Sequence, residues 1–248
     1  MSGTTTAPTT TPARRRIRGP AGMVGLAALV GFAILTTLVV SRDGAPFAID
    51  DTLLTWSTGH RPGAAVSLAG LVTATGTGPI AYALAALAGV IAGRTARQRA
   101  VAAAAALLCL AAGQGVRYAV RDVAARPRPD VRDWATHASG YAFPSGHTAT
   151  SAVIAGLLIT AVLTRRSRGR AYFAATAACW AAAVGLSRVY LGVHWFSDVI
   201  GGWLFAASWL ALCLCLAARW LPRPAAAGPP APQPQPQAQE HGRADEGR

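Results

Sequence analysis

The sequence contains no lysine, so arginine supplies all 23 basic residues. Beside the abundant alanine this reads as coding bias, and it strips special meaning from any single Arg. Acidic residues number only 10, and charged residues make up 13% of the chain against 52% hydrophobic, with a mean hydropathy of +0.35. So little charge speaks against an ordinary soluble surface and points to a polytopic membrane protein. Cysteine is scarce too. Cys109, Cys179, Cys213 and Cys215 all sit inside apolar runs. On a helix Cys213 and Cys215 point roughly 200° apart and cannot pair, and no Cys/His spacing suits zinc, so all four read as small buried apolar residues. A net charge of +13 can signal nucleic acid. Most Arg residues instead stand in short clusters beside apolar segments, the pattern of cytoplasmic loops, and nucleic acid is not expected as a partner.

The apolar segments define the organisation. Residues 1–20, Thr/Pro-rich and ending in Arg14, Arg15, Arg16 and Arg18, are expected to form a disordered basic tail, as are the Pro/Ala/Gln-rich residues 221–248. Between them, 21–220 reads as one all-α domain of six transmembrane helices: 21–41, Gly78 to Ile91, Ala100 to Val120, a span opened by Pro144 and His147 and running to Leu163, Ala171 to Leu186, and Val199 to Leu216. The apolar core of 21–41 is longer than a cleaved signal peptide needs. Residues 42–75 are mixed: Ile49, Leu53, Leu54 and Trp56 share a helical face, and Asp43, Asp50 and Asp51 precede or open that helix. They suit interfacial helices that cover a site, and equally a plain connecting loop.

Six spans put both tails on one side. The basic turns at 94–99 and 165–170 then join the N-terminal cluster, Arg219 and Arg223 on the cytoplasmic face of a cell membrane. Three chemistry-bearing stretches fall on the opposite, extracytoplasmic face: Arg121 followed after six residues by Arg128-Pro129; Pro144-Ser145-Gly146-His147 at the head of a span; and Ser187-Arg188, then five residues to His194 and three more to Asp198. If Asp198 opens a helix, His194 and Asp198 lie about one turn apart, so the carboxylate can fix the imidazole tautomer and free its other nitrogen. Arginine forks match phosphate oxygens, and Ser145 and Gly146 at a helix start offer a hydroxyl and backbone N–H groups.

Together the three stretches resemble the signature of the type 2 phosphatidic acid phosphatase superfamily, which includes the vanadium haloperoxidases. That signature runs Lys, six residues, Arg-Pro; Pro-Ser-Gly-His; Ser-Arg, five residues, His, three residues, Asp. The second and third parts match at every defined position, and the first departs once, with Arg121 in place of Lys. The resemblance implies an integral membrane phosphatase acting on lipid phosphate monoesters or polyprenyl diphosphates. It implies His194 as nucleophile forming a phosphohistidine, Asp198 orienting it, and His147 protonating the leaving oxygen and then activating water. Arg121, Arg128, Ser145, Gly146 and Arg188 would hold the phosphate, with no metal and no other cofactor.

Taken singly, Arg121 and Arg188 also fit snorkelling anchors at span ends, Pro-Ser-Gly fits helix-start chemistry, and a loop His such as His60, His137 or His241 is commonly structural. Trp195 and Trp203 fit interfacial aromatics. Three other functions share the pattern: a phosphotransferase passing the same intermediate to an alcohol, a vanadate-holding haloperoxidase, and a transporter or lipid-binding protein whose Arg cluster binds anions. Six apolar spans argue against the haloperoxidase, whose relatives are soluble.

Overall fold

The computed structural model describes residues 13–165 and 168–220. Among these the chain is all-helical: α1 Ala13–Ser41, α2 Ala48–Gly59, α3 Gly63–Ala74, α4 Gly78–Ala92, α5 Ala96–Ala124, α6 Gly146–Thr164, α7 Arg170–Tyr190 and α8 Phe196–Trp220, with a single 3-10 turn at Val131–Asp133. Helix α1 begins at Ala13, inside the stretch expected to be a tail. The rest of that tail, 1–12, and the C-terminal one, 221–248, lie outside the described residues.

Membrane-scale length and apolarity belong to four helices: α1 over Gly22–Ser41, α5, α6 and α8. Helices α3 and α4 are bent by 50° across the short break at 75–77 and together can make a fifth, broken span. The sixth segment expected to cross is α7, 21 residues from Arg170 to Tyr190 with Arg188 in its last turn; it falls short of that apolarity, so the described residues give four or five spans where six are expected. Large apolar side chains such as Leu26, Leu29, Leu108, Tyr172 and Leu212 point outward, as lipid-facing residues do when the hydrocarbon is the solvent. This is a helical membrane protein.

Small residues bring the helices together. Ala81, Ala85 and Ala88 form one stripe of α4 that packs with Leu110 of α5, Val153, Ile154 and Leu158 of α6, and Ala206 of α8. Without a hydrophobic force between helices in lipid, such close packing is what holds them. A second cluster joins Phe32 and Val39 of α1 to Phe143, Ala149 of α6 and Phe205 of α8. Helices α2 and α3 lean on α7.

The bundle has two chemically different ends. At one, the α4–α5 and α6–α7 turns meet, with Arg165 donating to the carbonyls of Ile91 and Gly93 and Thr95 and Gln98 closing a reciprocal cap on α5. At the other, the end of α5, the start of α6, the end of α7 and the start of α8 converge. Ser145 N–H donates to the carbonyl of Asp198 at 3.1 Å, and Ala135 N–H to that of Leu191 at 2.9 Å. The segment 42–75 is not a plain loop. It forms α2 and α3, which dock at this second end: the Ser57 hydroxyl reaches Val189 O at 3.4 Å.

Candidate active site

His194 lies in the five-residue turn between α7 and α8, and the turn fixes it. Gly192 has φ +73°, a left-handed value that suits glycine, and a Cβ there would overlap the carbonyl oxygen of Asp133. Asp198, in the first turn of α8, is fully buried. One of its oxygens, Oδ2, accepts Trp195 N–H at 2.9 Å and faces His194 Nδ1 at 3.3 Å. With the Nδ1 proton shared to that carboxylate, Nε2 is left with a lone pair. Burial, with Arg128 and Arg188 beside it, holds the His194 imidazole well below its ordinary pKa, so the ring is neutral at physiological pH.

Arg128 stands against that lone pair. Its Nη1 lies 2.9 Å from His194 Nε2 and 2.6 Å from Val193 O, while Nε and Nη2 donate to the carbonyls of Gly140 and Ser139, each at 2.9 Å. Four donor–acceptor contacts fix the fork's plane, which a lysine could not reproduce. Arg188, at the end of α7, is buried, and its Nη1 donates to Thr73 Oγ1 at 3.2 Å. Its Nε is buried with no hydrogen-bond partner. A buried N–H without an acceptor is costly unless a ligand oxygen supplies one.

Ser145 stands at the N-cap position of α6 without a side-chain capping bond and is fully buried, its hydroxyl accepting from Thr148 Oγ1 at 2.9 Å. Gly146 then opens the helix, where first-turn N–H groups lack intrahelical acceptors. A Cβ on Gly146 would stand 3.2 Å from the guanidinium carbon of Arg117, so glycine is what lets that cation close over the helix start. His147 follows, with Nε2 at 3.4 Å from Thr77 Oγ1 in the α3–α4 break.

Among the cations the structure departs from the motif spacing at one position. Arg117, not Arg121, packs against Gly146. Arg117 is buried, and a relay from Nε to Gln114 Oε1 (2.9 Å) and from Gln114 Nε2 to Thr150 Oγ1 (2.7 Å) holds it in place. Arg121, one helical turn on, forks onto the exposed carboxylate of Asp122 at 2.7 and 2.9 Å, with its side chain 27% accessible. The two guanidiniums sit over the same Tyr118 ring. Arg128, Ser145, Gly146, His147, Arg188, His194 and Asp198 thus converge on one end of the bundle, and Arg121 stands at its rim.

Several neighbours escaped the sequence reading. Arg117 was one more Arg at a span end, and its signal was its place four residues before Arg121, on the same helical face. Thr73, in the last turn of α3, and Thr77, in the break before α4, carry no signal in the sequence. Trp195 is buried and donates to Pro127 O at 2.9 Å, which makes it a wall of the site and not an interfacial aromatic. Among the described residues no cluster of three His, Cys, Asp or Glu side chains could hold a metal ion.

The sequence and the fold have known counterparts. Residues 100–222 match the family model of the PAP2 superfamily. Phosphatidylglycerophosphatase B of Bacillus subtilis (strain 168) is 42% identical over 81 residues, a match that covers 31% of this chain and 39% of that relative. A crystal structure of a transmembrane PAP2-type phosphatidylglycerolphosphate phosphatase from Bacillus subtilis shares the fold, with a TM-score of 0.64 at 23% identity over 79% of this chain and 97% of that one. Motif order, fold and family match agree, and over residues 100–222 the chain is similar to the PAP2 superfamily.

Proposed function

We propose that this protein is a membrane-embedded, metal-independent phosphatase that cleaves lipid phosphate esters through a phosphohistidine. The observation that carries the reading is His194: buried, with Nδ1 on Asp198 and Nε2 turned toward Arg128, beside an Arg188 whose Nε lacks an acceptor. In the reaction, His194 Nε2 attacks phosphorus and the bond to the leaving alkoxide breaks. The leaving oxygen takes its proton from His147. His147 then removes a proton from water, the resulting hydroxide attacks phosphorus, and the P–N bond breaks to release inorganic phosphate. Arg128, Arg188 and Arg117 meet the charge on the phosphoryl oxygens, together with the α6 N–H groups, so the positive charge a metal would supply is already provided by the chain.

Basic turns at the far end of the bundle fit the cytoplasmic side, which supports a site that opens on the extracytoplasmic leaflet. A lipid whose tails stay in the bilayer can present its head group there. The name of the 42%-identical relative puts phosphatidylglycerol phosphate first among candidates, ahead of phosphatidic acid and polyprenyl diphosphates. The test is phosphate release by the purified protein, with and without EDTA, from vesicles carrying each lipid. Release that survives EDTA supports the reading. No release from any of them, or activity that EDTA removes and Mg²⁺ restores, overturns it.

A further inference from the structure

Asp50 lies in α2, outside the three motifs and outside the 100–222 family match, yet it is one of the most enclosed side chains in the described protein. Its carboxylate is 0% accessible. Oδ2 takes Arg126 Nη2 at 2.9 Å, the Ser197 hydroxyl at 2.6 Å and Phe47 N–H at 3.0 Å, and Oδ1 takes Ser197 N–H at 2.7 Å. Arg126 is equally buried. Its Nη1 donates to Asp198 Oδ1 at 2.6 Å and Ser197 Oγ at 2.7 Å, and its Nε donates to Gly44 O at 3.1 Å. The chain of contacts therefore runs from Asp50 through Arg126 and Ser197 to Asp198, and from Asp198 Oδ2 to His194 Nδ1.

We infer that Asp50 is a positioning residue for the nucleophile, acting on His194 through Arg126, Ser197 and Asp198; the inference rests on the phosphatase reading above. The contacts fix position. Asp198 must present one oxygen to His194 and the other to Arg126, and Asp50 locks both Arg126 and the backbone just before Asp198. They also fix charge. Two carboxylates share one guanidinium, so the buried cluster Asp50–Arg126–Asp198 carries a net charge of −1. When His194 Nε2 bonds to phosphorus while Nδ1 keeps its proton, the ring becomes cationic, and that positive charge completes the cluster. Without Asp50, Arg126 would neutralise Asp198 alone, and the developing charge on His194 would lose its counterpart in a low-dielectric site, where such a loss is felt strongly. Asp50 touches neither the ring nor the phosphate.

A double-mutant cycle separates this role from a merely structural one. Asp50→Asn keeps the shape and removes the charge. It is expected to lower kcat on the order of ten- to a hundredfold while KM stays within about threefold, because the group acts on the attacking nitrogen and not on lipid binding. In the Asp198→Asn background the same change should cost less than about threefold, since the residue it acts through is already disabled. Equal losses in both backgrounds, a loss carried mainly by KM, or no loss at all would overturn the inference. Should Asp50→Asn fail to accumulate in the membrane, Asp50→Glu, which keeps the charge but misplaces the Ser197 contacts, enters the same cycle, and additive losses there overturn it equally. Failure of the underlying function is read separately from the wild-type protein: a chain that releases no phosphate and traps no phosphohistidine removes both.

Discussion

Replacing Arg117 and Arg121 in turn by glutamine sets contact geometry against motif spacing. The family resemblance assigns the first phosphate-binding cation to Arg121. The fold puts Arg117 on Gly146 at the start of α6, buried to 5% accessibility and braced by Gln114, while Arg121 spends its fork on Asp122 at the rim. A charge-assisted hydrogen bond lost from a buried site costs about 1.5–3 kcal/mol, so Arg117→Gln should lower kcat/KM on the order of ten- to a hundredfold. An exposed pair such as Arg121–Asp122 contributes about 0–1 kcal/mol, so Arg121→Gln should stay within about fivefold of wild type. Arg117→Gln also keeps a hydrogen-bonding end group of intermediate length, which limits collapse of the relay to Thr150. Initial rates on one lipid phosphate in mixed micelles, across a range of lipid mole fractions, give both values. A larger loss for Arg121→Gln than for Arg117→Gln would refute the geometric assignment.

Two further outcomes follow from the site. His194 has its pKa lowered by burial and by the neighbouring guanidiniums, so its ring stays unprotonated and nucleophilic as pH falls through 6.5. The rate of phosphoenzyme formation, corrected for the substrate's own ionisation near pH ~6, should hold level through that range; half-loss near pH 6.5 arising from the enzyme would contradict it. His147→Ala should cost roughly 10²–10⁴-fold on alkyl lipid phosphates and far less on aryl phosphates with good leaving groups, and equal losses on both would remove His147 as the acid.

How much of this was legible in the sequence depends on the range of the interaction. Four of the six expected spans and the motif-bearing ends followed from local apolarity and spacing, and the approach of His194 to Asp198 followed from a four-residue offset. The choice between Arg117 and Arg121 did not. Both lie on one face of α5, and which one turns inward is decided by Gly146, some thirty residues on. Asp50 was legible only as an acid in a helix's first turn, a common surface feature that complements the helix dipole. Its real partners, Arg126 and Ser197, stand 76 and 147 residues away. Arg126 was hidden by its neighbours, since in an Arg/Pro-rich run of a lysine-free chain no single arginine stands out. The α3–α4 bend shows the same limit: the apolar runs on either side of 75–77 are visible in the sequence, but the approach of Thr77 to His147 and of Thr73 to Arg188 comes from packing of α4 on α6 and of α3 on α7.

In the proposed reaction His194 takes the phosphoryl group. Rapid acid-free quenching of the protein with a lipid carrying a labelled phosphate, followed by digestion and mapping of the labelled peptide, tests it directly. The expected product is an alkali-stable, acid-labile phosphohistidine at His194, with no label and at most background turnover in His194→Ala. Label on Ser145, or near-normal turnover in His194→Ala, would contradict it.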